Sequence, residues 1–105
     1  MTVPVKSIRV GPFDVQIVSL TDKERDNNMG TFSDTSLTIA LRETYSSQQQ
    51  EAETLLHELL HAIYEIMGIK AKDTEERVVA QMSIGLAGVL RDNPELMTWL
   101  IKAMK

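Results

Sequence analysis

The chain has 105 residues, 43% of them hydrophobic, and a formal net charge of −4. This length suffices for a single domain, residues 1–105, and excludes a second one. The absence of cysteine excludes disulfides and thiolate metal sites, and the acidic charge gives no footprint for nucleic acid. The N-terminus has no apolar signal core and no apolar run approaches a membrane span, so we expect a cytoplasmic protein without membrane contact.

The first half of the chain is rich in strand-forming patterns. Val and Ile alternate with polar residues over 6–20, and a Gly-Pro break within this range predicts two short strands joined by a turn. A third strand is predicted over 36–41. The polar stretch between them predicts a loop, with a helical turn over 22–26 and an edge segment over 29–32.

Three helices are predicted in the second half. The first begins near residue 46 or 47, at a serine–glutamine capping-box pattern, and stops at Gly68. The second starts after residue 73 or 74 and runs to about Arg91. The third runs from Pro94 to about Met104, because proline suits the first helical position. The chain therefore predicts an α+β fold, with a small antiparallel or mixed sheet of about three strands packed on a helical C-terminal half.

The two histidines of the chain, His57 and His61, flank Glu58 in the sequence HELLH, inside the first predicted helix. Residues four apart share one helix face, so both imidazoles can reach one metal ion. Glu58 points to the side of that pair, where a carboxylate can hold and deprotonate a metal-bound water. Chance placement gives this arrangement in roughly 2 of 1000 cases. The motif therefore predicts a catalytic zinc site.

A catalytic zinc needs a third protein ligand, which must here be a carboxylate. Glu75 and Glu76 are the candidates, because a helix returning antiparallel after residues 68–73 brings its first turn close to His61. Periodicity favours Glu75, which is centred on the apolar stripe of the second helix. Both residues also suit the helix start itself, through a capping box with Asp73 and through the helix dipole. The residues alone leave this choice open.

Three segments, TLLHELLHAI, EERVVAQMSIGLAGVL and RDNPEL, carry a family resemblance over about residues 54–97. They resemble the small metallopeptidases of phages and mobile elements, which are of the gluzincin type and related to the ImmA/IrrE-like peptidases. The resemblance implies a minimal zincin-like fold and Zn²⁺ bound by His57, His61 and Glu76. It selects Glu76 because the spacing to Val79 and Met82 matches the family pattern that follows the ligand glutamate.

The resemblance and the motif together imply hydrolysis of a peptide bond through a metal-activated water, with Glu58 as general base. The substrate would be a protein or peptide, with a regulatory or phage protein as a possible target. Tyr64 lies on the ligand face and is the best candidate for a catalytic donor to the oxyanion, ahead of Tyr45 and Arg42; it equally suits an aromatic packed beside the site. An exposed edge over 36–41 would bind an extended substrate by strand addition.

Two other interpretations come from different classes of protein. The chain would act as a catalytically weak zinc-binding scaffold or partner-binding module, an interpretation favoured by its small size. Ala80 also supports it, because some gluzincins have an aspartate there that orients a ligand histidine. In a metal-free helical interaction domain, His57 and His61 would merely satisfy hydrogen bonds.

Overall fold

The N-terminal half of the chain forms a four-stranded mixed sheet in the computed structural model, which describes residues 1–105. In chain order the strands are β1 (Ser7–Val10), β2 (Phe13–Ser19), β3 (Gly30–Ser33) and β4 (Thr38–Leu41). Their order across the sheet is β1-β2-β4-β3, with antiparallel β1–β2 and β3–β4 pairs and a parallel β2–β4 pair. The predicted α+β class is confirmed, with one strand more than expected.

One edge of the sheet is β3 and the other is β1. The expectation that residues 36–41 form an exposed edge is wrong, because β4 lies between β2 and β3 and its Ile39 and Leu41 are completely buried. The predicted edge segment at 29–32 is confirmed, one residue later, as β3. A turn over 34–37, in which Leu37 has a φ of 52°, returns the chain from β3 to β4.

The helices are α1 (Asp22–Arg25), α2 (Gln48–Ile66), α3 (Glu75–Asp92) and α4 (Pro94–Ala103). The long ones begin at side-chain caps: Ser47 accepts a hydrogen bond from the backbone N–H of Gln50, and Thr74 accepts one from that of Arg77. The sequence therefore predicted the helix boundaries closely. None of the four helices has both the length and the apolar composition needed to cross a bilayer.

The core lies between the sheet and the helices, with α4 also contributing to it, and α2 buries the most residues: Ala52, Leu55, Leu59, Ala62 and Ile63. In contrast, α3 buries only Gly85 and Val89 among its 18 residues. A Cβ atom at Gly85 would lie 2.6 Å from Cγ2 of Ile63, so the glycine allows α3 to pack closely on α2. The sheet and α2 are thus packed together through many buried residues, and the outer side of α2 is exposed to solvent.

Candidate metal centre

His57 and His61 lie one turn apart on α2, and both side chains are exposed. Their Nε2 atoms are 3.3 Å apart, and their rings meet edge to face at a centroid distance of 4.9 Å. The i, i+4 spacing on a regular helix produces this juxtaposition without help from any other element. The two nitrogens therefore converge on one point in front of the helix.

The distance between the two nitrogens can be compared with what zinc requires. Two imidazole nitrogens about 2.0–2.1 Å from a tetrahedral Zn²⁺ are separated by about 3.3–3.4 Å. The Nε2 atoms of His57 and His61, at 3.3 Å, match this separation. The histidine pair thus fits two corners of a tetrahedral zinc site.

Glu58 completes the only cluster of three potential ligand side chains in the structure, and the ligand atoms of this cluster lie within 4.8 Å of one another. Only 8% of this residue is exposed and its carboxylate accepts no hydrogen bond from the protein, but its oxygens are not among the fully buried polar atoms that lack a partner, so they are open to the solvent of the pocket. The other buried acid, Glu51, is 3% exposed but accepts hydrogen bonds from Thr2 and from the backbone of Val3. A carboxylate cut off from water needs such partners, whereas the Glu58 oxygens remain open to water and to a ligand in the pockets that this residue lines.

Strand β3 runs alongside α2 and forms the wall next to Glu58. A Cβ atom at Gly30 would lie 2.7 Å from Cγ2 of Thr54 and 3.4 Å from Cγ of Glu58, which shows how closely the strand approaches the helix. Two residues further on, Phe32 lines the same pocket as Glu58 and His61. Since the outer edge of β3 is unpaired, a free strand edge borders the cluster.

Three adjoining pockets surround the cluster. The first, of about 390 Å³, is lined by Phe32, Asp34, Glu58, His61, Tyr64 and Glu65. The second, of about 350 Å³, is lined by Met29, Gln50, Glu53, Thr54, His57 and Glu58. The third, of about 370 Å³, lies on the α3 side and is lined by His57, Leu60, His61, Tyr64 and Met82. Because they share residues of the HELLH segment, they form one open cleft, which we call the α2 cleft.

Tyr64 lines two of these pockets beside His61, as its predicted position on the ligand face requires. Its proposed role as a donor to an oxyanion stays a prediction. The weaker candidates have other functions in the fold. The hydroxyl of Tyr45 donates to the carbonyl of Met29 at 2.6 Å and accepts from the N–H of Arg42 at 2.9 Å. Partial burial raises the pKa of Tyr45, so this phenol stays protonated and holds the chain just before β3.

Arg42 is likewise bound to the loop that precedes β3. Its guanidinium donates to the carbonyl of Asn28 at 2.9 Å and to that of Arg25 at 2.6 Å. These bonds fix the chain between α1 and β3, since each satisfies a carbonyl that no strand or helix uses. Arg42 and Tyr45 therefore position the wall of the α2 cleft.

Glu75 and Glu76 are exposed in the first turn of α3 and lie outside the close cluster of His57, Glu58 and His61. The helix is capped by Thr74, and Asp73 instead pairs with Arg77 at 3.2 Å. Glu76 as the third ligand, with Glu75 as its rival, stays a prediction. The α3 helix does reach the cleft nearly two turns further on, where Met82 lines one pocket together with both histidines.

Three carboxylates of the cleft were not singled out from the sequence. Glu53 and Glu65 extend the four-residue spacing of the histidines in both directions, since positions 53, 57, 61 and 65 follow one row along α2. That spacing could have identified them. Asp34 offered no such signal, because its place in the cleft depends on how β3 packs against α2.

Comparison of the chain with protein-family models, with curated proteins and with solved structures finds no match.

Proposed function

We propose that the protein is a zinc-dependent metallopeptidase that hydrolyses peptide bonds in a protein or peptide substrate. The observation that carries this proposal is the pair of imidazole nitrogens at zinc spacing beside Glu58, a residue that is 8% exposed and accepts no hydrogen bond from the protein. The HELLH motif and the resemblance to gluzincin-type phage peptidases point to the same chemistry, with Glu76 as third ligand and a regulatory or phage protein as target.

In this proposal, residues of the α2 cleft act together with Glu76 of α3. His57, His61 and Glu76 would hold zinc, and the ion would supply the Lewis acid that polarises water and the substrate carbonyl. Glu58 accepts a proton from the water whose oxygen attacks the carbonyl carbon. The same carboxyl then gives that proton to the amide nitrogen as the C–N bond breaks. Tyr64 donates to the oxygen that becomes negatively charged.

The substrate backbone is proposed to lie along β3. An extended peptide can pair with the free edge of this strand, because main-chain N–H and C=O groups point outward there. This arrangement replaces the expectation that residues 36–41 act as the edge. It brings the peptide over Glu58 and His61, which share a pocket with Phe32 of β3.

A second candidate function is zinc binding without turnover, as a scaffold or partner-binding module. The specific observation in its favour is that the only hydrogen bond of either imidazole is the one between them, so neither ring is oriented by a carboxylate or a carbonyl. Ligand histidines in active metalloenzymes ordinarily have such partners, whose loss costs about 10–100-fold in metal affinity or activity. This candidate predicts stoichiometric zinc and no hydrolysis.

Glu58→Gln separates the two candidates, because the amide keeps the shape of the side chain but cannot accept the proton. We expect the variant to retain near-stoichiometric zinc by elemental analysis and to lose about 10²–10⁴-fold in hydrolysis of a broad peptide library. Glu95→Gln, the same change on the exposed first turn of α4, serves as the matched control and should behave as wild type. Equal cleavage by the Glu58 variant and wild type would refute the role of Glu58.

The metal ligands are tested in the same preparations, purified without a histidine tag. We expect His57→Ala to lose zinc, and Glu76→Gln to lower zinc affinity more than Glu75→Gln. Zinc binding with no cleavage of any peptide would favour the scaffold over the peptidase. Absence of zinc from the wild type would refute both candidates.

A further inference from the structure

We infer that the α2 cleft selects substrates with Lys or Arg on both sides of the scissile bond. This inference rests on the proposed peptidase function and adds to it a class of substrate. It comes from the charge of the cleft walls. Asp34 and Glu65 line the pocket at one end of the cluster, and Glu53 lines the pocket at the other end.

No cationic side chain offsets these carboxylates within the cleft. Neither Lys nor Arg lines any of its three pockets, nor the adjoining pocket at the end of β3 that Asp34 and Glu65 also line. All four ion pairs of the structure lie elsewhere and involve Asp14, Asp22, Asp73 and Asp92. The negative charge of the cleft is therefore available to a bound molecule.

The three carboxylates also have few neutral partners. Glu53 meets the amide of Gln49 at 3.4 Å, and Asp34 meets the hydroxyl of Thr35 at 3.3 Å. Glu65 has no side-chain hydrogen bond. Acidic residues are common on any surface, but these three flank Glu58, whose side chain is nine-tenths buried, has no hydrogen-bond partner in the protein and lines the same two pockets.

The spacing along α2 sets the distance between the two cationic residues. Glu53 and Glu65 are twelve positions apart, which corresponds to about 18 Å along a helix axis. An extended peptide rises about 3.3 Å per residue, so it covers this distance in five to six residues. Because His57 and His61 lie midway between the two acids, each cationic residue falls about two or three positions from the scissile bond.

The opposite wall of the cleft, on the α3 side, has no acidic side chain. The pocket on the α3 side is lined by Leu60, Tyr64 and Met82 in addition to the histidines. Charge selection is therefore confined to the β3 side, where the substrate backbone is proposed to lie. The β3 side would bind the cationic side chains of the peptide, and the α3 side would contact its apolar side chains.

Binding of peptides to the zinc-loaded Glu58→Gln protein tests the inference without requiring turnover. The probes are fluorescein-labelled ten-residue peptides with Lys, Gln or Glu three positions before and after the central bond and with otherwise identical sequences. We expect the Lys peptide to bind best, as measured by fluorescence anisotropy. Its affinity advantage over the Gln peptide should decrease as NaCl is raised from about 20 to about 200 mM, because salt screens exposed charges.

Substitutions in the cleft localise the effect. An exposed ion pair strengthens binding by about 1.4–5-fold, so Asp34→Asn together with Glu65→Gln should weaken the Lys peptide by about 2–30-fold. The double variant should leave the Gln peptide unchanged. Glu95→Gln, which lowers the negative charge outside the cleft, should leave both peptides unchanged. These residues are exposed, so the variants should keep the wild-type circular dichroism spectrum.

Each outcome distinguishes the inference from the proposed function. Equal binding of the Lys and Gln peptides, no binding of any peptide, or an equal effect of Glu95→Gln would overturn the inference. The wild-type protein is then incubated with the same peptides in a cleavage assay. Cleavage without preference for the Lys peptide overturns the inference and leaves the peptidase standing. A binding preference without cleavage refutes the peptidase and supports only the selection of cationic peptides by the α2 cleft.

Discussion

Gly30→Ala should destabilise the protein, because the added methyl group has no room between β3 and α2. Its Cβ would lie 2.7 Å from Cγ2 of Thr54, against 3.4–4 Å for an ordinary contact, and 3.3 Å from the carbonyl oxygen of Ala40. The φ of Gly30 is not positive, so the backbone itself accepts alanine and the cost is steric.

The expected magnitude combines two opposing terms. Overpacking costs about 1–3 kcal/mol, whereas replacing glycine stabilises by about 0.4–1 kcal/mol through the unfolded chain. The free energy of unfolding of Gly30→Ala should thus fall by about 1–2 kcal/mol. Urea denaturation followed by circular dichroism measures this value, as a midpoint lower by about 1 M.

Thr54→Ser provides the matched rescue. It removes the clashing Cγ2 methyl and keeps the hydroxyl, which donates to the carbonyl of Gln50 at 2.8 Å. On its own it should cost less than about 1 kcal/mol, the value of one buried methyl group. Combined with Gly30→Ala it should recover about 1 kcal/mol relative to the sum of the single changes. If Gly30→Ala is as stable as wild type, or costs the same with and without the Thr54 methyl, the close approach of β3 to α2 is refuted.

Tyr45→Phe should lower the free energy of unfolding by about 1–2 kcal/mol at neutral pH, because it leaves the carbonyl of Met29 without its donor. Burial raises the pKa of Tyr45, so the unfolded chain releases the phenolic proton at lower pH than the folded protein does. The free energy of unfolding of the wild type should therefore decline above about pH 10. An equally steep decline for Tyr45→Phe, in urea denaturation between about pH 8 and about pH 11, would contradict this. Gly68→Ala should cost about 1 kcal/mol by urea denaturation, because Gly68 has a φ of 69° after α2. Open space surrounds Gly68, so Gly68→Asn, which tolerates this φ better, should cost less; equal stability of all three proteins would refute the argument.

The helices and the individual strands were predictable because their signals are local. Ser47 and Thr74 cap α2 and α3 within a few residues of the predicted starts, and the apolar alternation identified the strands. The parallel pairing of β2 with β4 was not predictable, because both strands have similar patterns and the pairing joins residues about 22 positions apart, such as Ile17 and Ile39. That pairing makes β3 the edge, which is why the predicted edge was wrong.

The same distinction applies to the candidate site. His57, Glu58 and His61 are carried by one helix, so helix geometry alone brings their side chains together. Asp34 enters the cleft only through the packing of β3 on α2, and the place of Glu76 depends on how α3 returns beside α2. The HELLH motif singled out Glu58, but the burial of its side chain depends on the packing of β3 against α2, which the sequence does not show.

The sparse anchoring of α3 gives the proposed metal a structural role in addition to its chemistry. With two buried residues against seven in α2, α3 has few contacts to resist local opening. The histidines form a preformed half-site on the firmer helix, whereas Glu76 would join it from the looser one. Part of the binding free energy of zinc would then be used to order α3. Amide hydrogen exchange in α3 should accordingly slow when zinc is added to the wild type, and Glu76→Gln should abolish this slowing.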